Sequence, residues 1–229
     1  MTAEKKTQEK ERSKKIDPIN VFKIALVGAS GKGKTYSFRN MNREHTGFIN
    51  TEYKPLPFKK DFKYHGKPTK WVGITQCFKD FENNNDINAI VLDSFSATIE
   101  IILEECRRKF SGFDIWTNYN KRIGEPLKMI KYCTKEVIMT AHYEVISPEG
   151  EREKRIKVKG NEWAGVIEKE FTVVLYSDVK FLNDNPTYKF KSIGDGLSAK
   201  CPPGILKEGE FEMDNDANEV LKLIRNFQK

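Results

Sequence analysis

The chain has 229 residues, 38% of them apolar and 32% charged, with a formal net charge of +7 and an isoelectric point near 9.0. That length predicts one sizeable domain with its own core, and no run of about 18 apolar residues is present to span a membrane. The start of the chain lacks the apolar stretch of a secretory signal; Cys77, Cys106, Cys133 and Cys201 are too scattered for a zinc set, so reduced thiols in a cytoplasmic setting are expected.

Residues 1–16 hold Lys5, Lys6, Lys10, Arg12, Lys14 and Lys15 and almost nothing apolar. They read as a flexible charged arm, a solubilising tail or a DNA tether, ahead of a core over 17–229. Residues 21–27 are a short apolar run of strand length. Then come Gly28, Ala29, Ser30, Gly31, Lys32, Gly33, Lys34 and Thr35, which fit G-x-x-x-x-G-K-[ST] at every fixed position. Glycines let the backbone fold around phosphate oxygens and aim N–H groups at them. Lys34 would reach the β- and γ-phosphates of ATP, and the Thr35 hydroxyl would hold Mg²⁺. Residues 36–42 predict the first turns of a helix, whose dipole favours phosphate. Tyr36, at its start, counts with the loop as nucleotide-binding.

Residues 47–51 predict a second strand ending at Glu52, followed by an irregular stretch over 53–70. A helix is expected within 71–83 and a buried strand over 88–93. A helix follows over 97–110, then a Gly- and Asn-containing stretch to 124. The next helix is expected over 125–134 and the next strand over 136–141. Residues 143–165 read as a charged hairpin or loop. Strands follow at 171–176, 179–182 and 187–191, the last two around an Asn-Asp-Asn-Pro turn. Val220, Ile224 and Phe227 lie at helical spacing, with Asp214 or Asp216 as cap. Strands alternating with helices, then late hairpins, indicate an α/β fold. Its central sheet is mostly parallel, flanked by helices and extended by antiparallel strands. Ligands bind such sheets at the carboxyl ends of the strands.

Asp93 ends the run Ala-Ile-Val-Leu-Asp, where a carboxylate can hold Mg²⁺ opposite Thr35 or cap the next helix. Glu52 can polarise a water beside the γ-phosphate or be an ordinary surface glutamate. His142 can touch the γ-phosphate as a sensor or simply close a strand end. Two segments mix cations with aromatics, as single strands require. One contains Arg107, Arg108, Lys121 and Arg122 with Trp116 and Tyr119; the other contains Arg155, Lys157 and Lys159 with Trp163. Both also read as solvated faces with the rings in the core.

Together these landmarks resemble the RecA-type P-loop ATPases, specifically the short phage-encoded RecA-like recombinases associated with single-strand annealing. The resemblance covers roughly residues 20–205. It implies a RecA-like core with Glu52 as catalytic base, Lys34 on the phosphates, Asp93 on the metal and His142 as sensor. It implies ATP and Mg²⁺ as ligands, host cytoplasm as setting, and DNA loops at 107–124 and 143–165. It also implies a head-to-tail filament or ring, with Lys189, Lys191 or Lys200 reaching a neighbour's nucleotide. Single-stranded DNA, and an annealing or single-strand-binding protein, are the implied partners. Asn50 and His142 stand where RecA has aspartate and glutamine, and the second loop, with Pro148 and Gly150, is not glycine-rich. A nucleotide-controlled assembly module with little turnover is the alternative; a small-molecule kinase ranks below it.

Overall fold

The computed structural model describes residues 16–229 apart from 60, 148–149, 161, 183–184 and 195. The expected arm therefore lies outside the described residues except for Ile16, as do Pro148 and the first half of the turn at 183–186. Among the described residues the strands are β1 (Lys23–Val27), β2 (Thr46–Asn50), β3 (Tyr64–Gly66), β4 (Ala89–Asp93), β5 (Glu136–Ala141), β6 (Tyr143–Ile146), β7 (Glu153–Ile156), β8 (Val173–Leu182), β9 (Asn185–Lys191) and β10 (Glu212–Asp214). The α-helices are α1 (Trp71–Asn83), α2 (Phe95–Lys109), α3 (Asp114–Tyr132) and α4 (Ala217–Phe227).

All five residues of β1 are buried. Ile24 and Leu26 join one apolar cluster, and Ala25 and Val27 join the other. A strand buried on both faces needs cover on both sides. On one face α1, α2 and α3 supply it through Ile74, Phe78, Ile99, Leu103, Ile123 and Leu127. On the other lie Val220, Leu221 and Ile224 of α4, with Phe38 from the segment after β1.

Eight strands form one sheet in the order β10-β9-β8-β1-β5-β4-β2-β3. From β8 to β3 every pairing is parallel, while β9 and β10 add antiparallel strands beyond β8. This is the α/β class expected, with its antiparallel extension. β5 sits between β1 and β4, so whatever follows β5 emerges between the phosphate loop and Asp93.

Several boundaries differ from expectation, each for a local reason. The helix after the loop is a short 3-10 segment, Thr35–Asn40. β3 is only three residues long and carries no readable alternation. α3 starts at Asp114 and runs through Gly124, where the sequence predicted a non-helical stretch, and on through Pro126. Gly124 packs under Trp163, whose ring would lie 3.4 Å from an added Cβ. Residues 171–182 hold one long strand and not two, because Ser177 and Asp178 point their polar groups at the phosphate loop (below). The cap of α4 is Asp216, which accepts from the Asn218 and Glu219 amides; Asp214 pairs with Lys189 instead.

Candidate nucleotide site

Val27 is in register with Ala141, Leu92 with Met139, and Asn50 with Asp93. The residues following four neighbouring strands therefore emerge side by side. The Gly28 amide donates to Ala141 O at 3.0 Å, and the Thr51 amide to Asp93 O at 2.8 Å. Glycine is required within the loop, where Gly31 and Gly33 have φ of 75° and 83°.

Lys34 is buried, and its Nζ donates to Gly28 O at 2.8 Å and Ala29 O at 2.9 Å. The same Nζ lies 3.5 Å from His142 Nδ1. Burial pushes the Lys34 ammonium below its usual range, opposed by Asp93 and Glu52. Burial likewise lowers His142, reinforced by the charge of Lys34, so His142 is neutral near pH 7. Its backbone amide donates to Ser96 Oγ at 2.9 Å, which fixes the end of β5 to the start of α2.

Asp93 is buried. Its Oδ2 accepts from Thr35 Oγ1 at 2.8 Å, and its Oδ1 from Thr140 Oγ1. Burial raises its carboxyl, opposed by these two hydroxyls. Thr35 and Asp93 are hard oxygen donors within one hydrogen-bond length, a pair that fits Mg²⁺. Helix α2 is capped by the next residue, Ser94, whose Oγ accepts from the Ala97 amide at 3.2 Å. The cap role weighed for Asp93 thus belongs to its neighbour.

Glu52 follows β2 and faces the same space. Its Oε1 accepts from Ser94 Oγ at 3.1 Å and its Oε2 from Lys54 Nζ at 3.0 Å. Burial pushes the Glu52 carboxyl up, but the bonds from Lys54 and Ser94 outweigh it and hold it below its usual range. Asn50 shapes the turn that carries Glu52. Its Oδ1 accepts from the Tyr53 amide at 3.1 Å and its Nδ2 donates to Lys54 O at 2.8 Å, around Tyr53 at φ 54°.

The extension strands brace the loop. Lys32 Nζ reaches Asp178 Oδ1 at 3.2 Å, and Lys191 Nζ reaches Asp178 Oδ2 at 2.7 Å. Ser177 Oγ donates to Lys32 O. Burial raises Asp178, but the bonds from Lys191, the Val179 amide and Lys32 prevail and hold its pKa at about 2.

Two adjoining cavities meet at Ser30, Glu52 and His142. One, of about 490 Å³, contains the loop from Ser30 to Tyr36 together with Tyr188. The other, of about 410 Å³, extends past Ser96 and Glu100 to Lys157 and Lys159.

The remaining candidates disperse. Lys189 pairs with Asp214, and Lys200 donates to Phe171 O at 2.7 Å and Glu168 O at 3.3 Å. Arg108 pairs with Glu104, Arg122 with Glu105, Arg155 with Glu153, and Lys159 with Glu100. Arg107, Lys121 and Lys157 are exposed. Tyr119 is fully buried and the Trp163 indole donates to Asn120 O, so both rings belong to the core. Phe113, by contrast, is 83% exposed between α2 and α3.

The sequence pattern did not reveal Thr140, Ser96, Ser177, Asp178 or Tyr188 as site neighbours. Thr140 sits one residue before the end of β5, and the only sign of it in the sequence is a hydroxyl within an otherwise apolar strand run; its place beside Asp93 appears only in the fold.

Residues 21–195 match the family model described as AAA domain, AAA_24. The chain belongs to that family and carries a P-loop ATPase domain. No curated protein matches it. Among solved structures it is similar to a KaiC-like protein from the hyperthermophilic archaeon Pyrococcus horikoshii, at 12% identity and a TM-score of 0.46, over 76% of this chain and 78% of that one. No helix among the described residues is long and apolar enough to cross a membrane.

Proposed function

We propose that the chain hydrolyses ATP and couples hydrolysis to single-stranded DNA, in recombination, annealing or repair of the phage type. The observation that carries the reading is the convergence of Lys34, Thr35, Asp93, Glu52 and His142 at neighbouring strand tips. Lys34 and the loop amides bind the triphosphate, and Thr35 with Asp93 holds Mg²⁺. The metal neutralises charge on the phosphate oxygens when bound. Glu52, ionised and oriented by Ser94, polarises the attacking water. His142, neutral and beside Lys34, registers the γ-phosphate and passes its state to the segment after β5.

DNA contact is supported by exposed Arg107 and Lys121, on the helices that flank exposed Phe113 in the chain, and by Lys157 on the cavity that shares Glu52 and His142. Charge serves phosphates and an exposed ring serves bases. Head-to-tail assembly belongs to the same proposal, with a single-strand annealing or single-strand-binding protein as partner. There Lys189 and Lys191 would exchange Asp214 and Asp178 for a neighbour's phosphates. Lys200, held by two carbonyls, suits that role least. A second reading, a nucleotide-controlled assembly module with little turnover, draws on the Lys54–Glu52 pair, which engages the water-activating carboxylate.

The test is the ATPase rate with and without a single-stranded oligonucleotide across a salt series. Stimulation that falls steeply between about 50 and 200 mM salt is expected, since phosphate contacts release counterions. A rate indifferent to DNA at every salt concentration removes the coupling. Assembly on nucleotide without turnover favours the second reading.

A further inference from the structure

We propose that Ser177 and Asn215 are positioning residues of the phosphate loop, which fix the Lys32–Gly33 peptide so that the Gly33 N–H stands ready for a phosphate oxygen. The proposal rests on the reading of the loop at 28–35 as a triphosphate site. Ser177 lies on β8, and Asn215 lies in the junction between β10 and α4. Both are buried. Neither belongs to the sequence pattern of the loop.

The directions of these hydrogen bonds follow from one group that can only accept. Lys32 O is a carbonyl, so the Ser177 hydroxyl donates to it. With its proton engaged there, Ser177 Oγ accepts from Asn215 Nδ2 at 3.0 Å. Asn215 Oδ1 is thereby turned toward the loop, 3.2 Å from where a Cβ on Gly33 would stand. That oxygen is buried and has no partner among the described residues. An unpaired buried acceptor costs free energy, so the bond to Ser177 holds the side chain this way against that cost. The Asn215 backbone is anchored as well. Its amide donates to Tyr188 O at 3.3 Å, and its carbonyl accepts from Arg39 Nη1 at 2.5 Å. Arg39 belongs to the segment that follows the loop.

A trans peptide is planar and carries its C=O and N–H on opposite sides. Holding Lys32 O against Ser177 therefore turns the Gly33 N–H away from β8. Gly33 lines the cavity of about 490 Å³, whereas Ser177 and Asn215 do not. The Gly33 amide donates to no group among the described residues. Lys32 is held at its other end too, where its Nζ reaches Asp178 at 3.2 Å. With the peptide fixed from behind, an arriving phosphate does not have to turn it, and less of the binding energy is lost to ordering the loop. Successive amides converging in this way form an anion-binding concavity.

Titration of pyrophosphate and ATP into wild type, Ser177→Ala, Ser177→Thr and Asn215→Leu tests this, with the Gly33 amide followed by NMR in protein carrying isotope-labelled glycine. In wild type the Gly33 amide proton is expected to move downfield as pyrophosphate binds, because the N–H then donates to an anion. Ser177→Ala is expected to weaken pyrophosphate and ATP by about tenfold and to reduce that shift at saturation. Asn215→Leu is expected to weaken both by about threefold, and Ser177→Thr, which keeps the hydroxyl, to stay within about twofold of wild type. A Gly33 amide that does not respond to pyrophosphate in wild type overturns the proposal, whether or not a variant folds. Ser177→Ala binding as tightly as wild type overturns it, as does Ser177→Thr binding as weakly as Ser177→Ala. In each of these cases wild type still binds ATP and pyrophosphate, and the triphosphate reading stands. Wild type that binds neither overturns that reading, and the proposal with it.

Discussion

Asp178 carries no role in the loop pattern, yet it links the loop to the extension strands. It accepts from Lys32 at 3.2 Å and from Lys191 at 2.7 Å. Its folded pKa, about 2, lies below the ordinary value of 3.8. The unfolded chain therefore takes up this proton first as pH falls. The stabilisation is fully present above about pH 4 and is lost as pH drops through about 2. Asp178→Asn is expected to lower the melting temperature near neutral pH, with a deficit that shrinks below pH 4 and vanishes near pH 2. A deficit of constant size across that range would mean that packing, and not charge, is what the substitution removes. Because Asp178 is partly exposed, the effect is expected to be modest.

At the scale of elements, close approach decides which residues are allowed. Gly47 in β2 faces Phe81 of α1, and an added Cβ would lie 2.5 Å from Phe81 Cδ2. Gly47→Ala is expected to destabilise the fold by about 1–3 kcal/mol in urea unfolding. The double variant Gly47→Ala with Phe81→Leu is expected to recover part of that loss; no recovery would show that Phe81 is not the constraint. The element-level reading of the sequence succeeded where burial was uniform. β1 and β4 are continuous apolar runs because both faces are covered, and α1 fills the whole of the 71–83 window of which a helix was expected to cover part. It failed where polar or small residues serve a tertiary contact. Ser177 and Asp178 interrupt a run that is one strand, and the Gly- and Asn-containing stretch up to Gly124 hides the first half of one helix. The three-residue β3 and β10 owe their existence to neighbouring strands and leave no pattern of their own.

At the scale of the whole molecule, the site was legible in proportion to how local it is. The loop at 28–35 is contiguous and carries its own signature. Glu52, Asp93 and His142 were readable as strand-end residues, because a parallel sheet brings such ends together. Their partners were not. Thr140 and Tyr188 reach the site through strand order and register, which no single segment encodes. The same limit applies to the cations. Arg122, Arg155 and Lys159 look alike in sequence, and only the folded chain pairs each with a glutamate.

On the proposed reading, the carboxyl end of the central sheet binds the triphosphate through Lys34 and activates water through Glu52. Steady-state ATP hydrolysis in Mg²⁺, measured for wild type, Lys34→Ala and Glu52→Gln beside ATP-binding titrations, tests it most directly. Glu52→Gln is expected to keep ATP affinity and to lose at least about 100-fold in turnover. Lys34→Ala is expected to lose both binding and turnover. Normal hydrolysis by either variant would contradict the account.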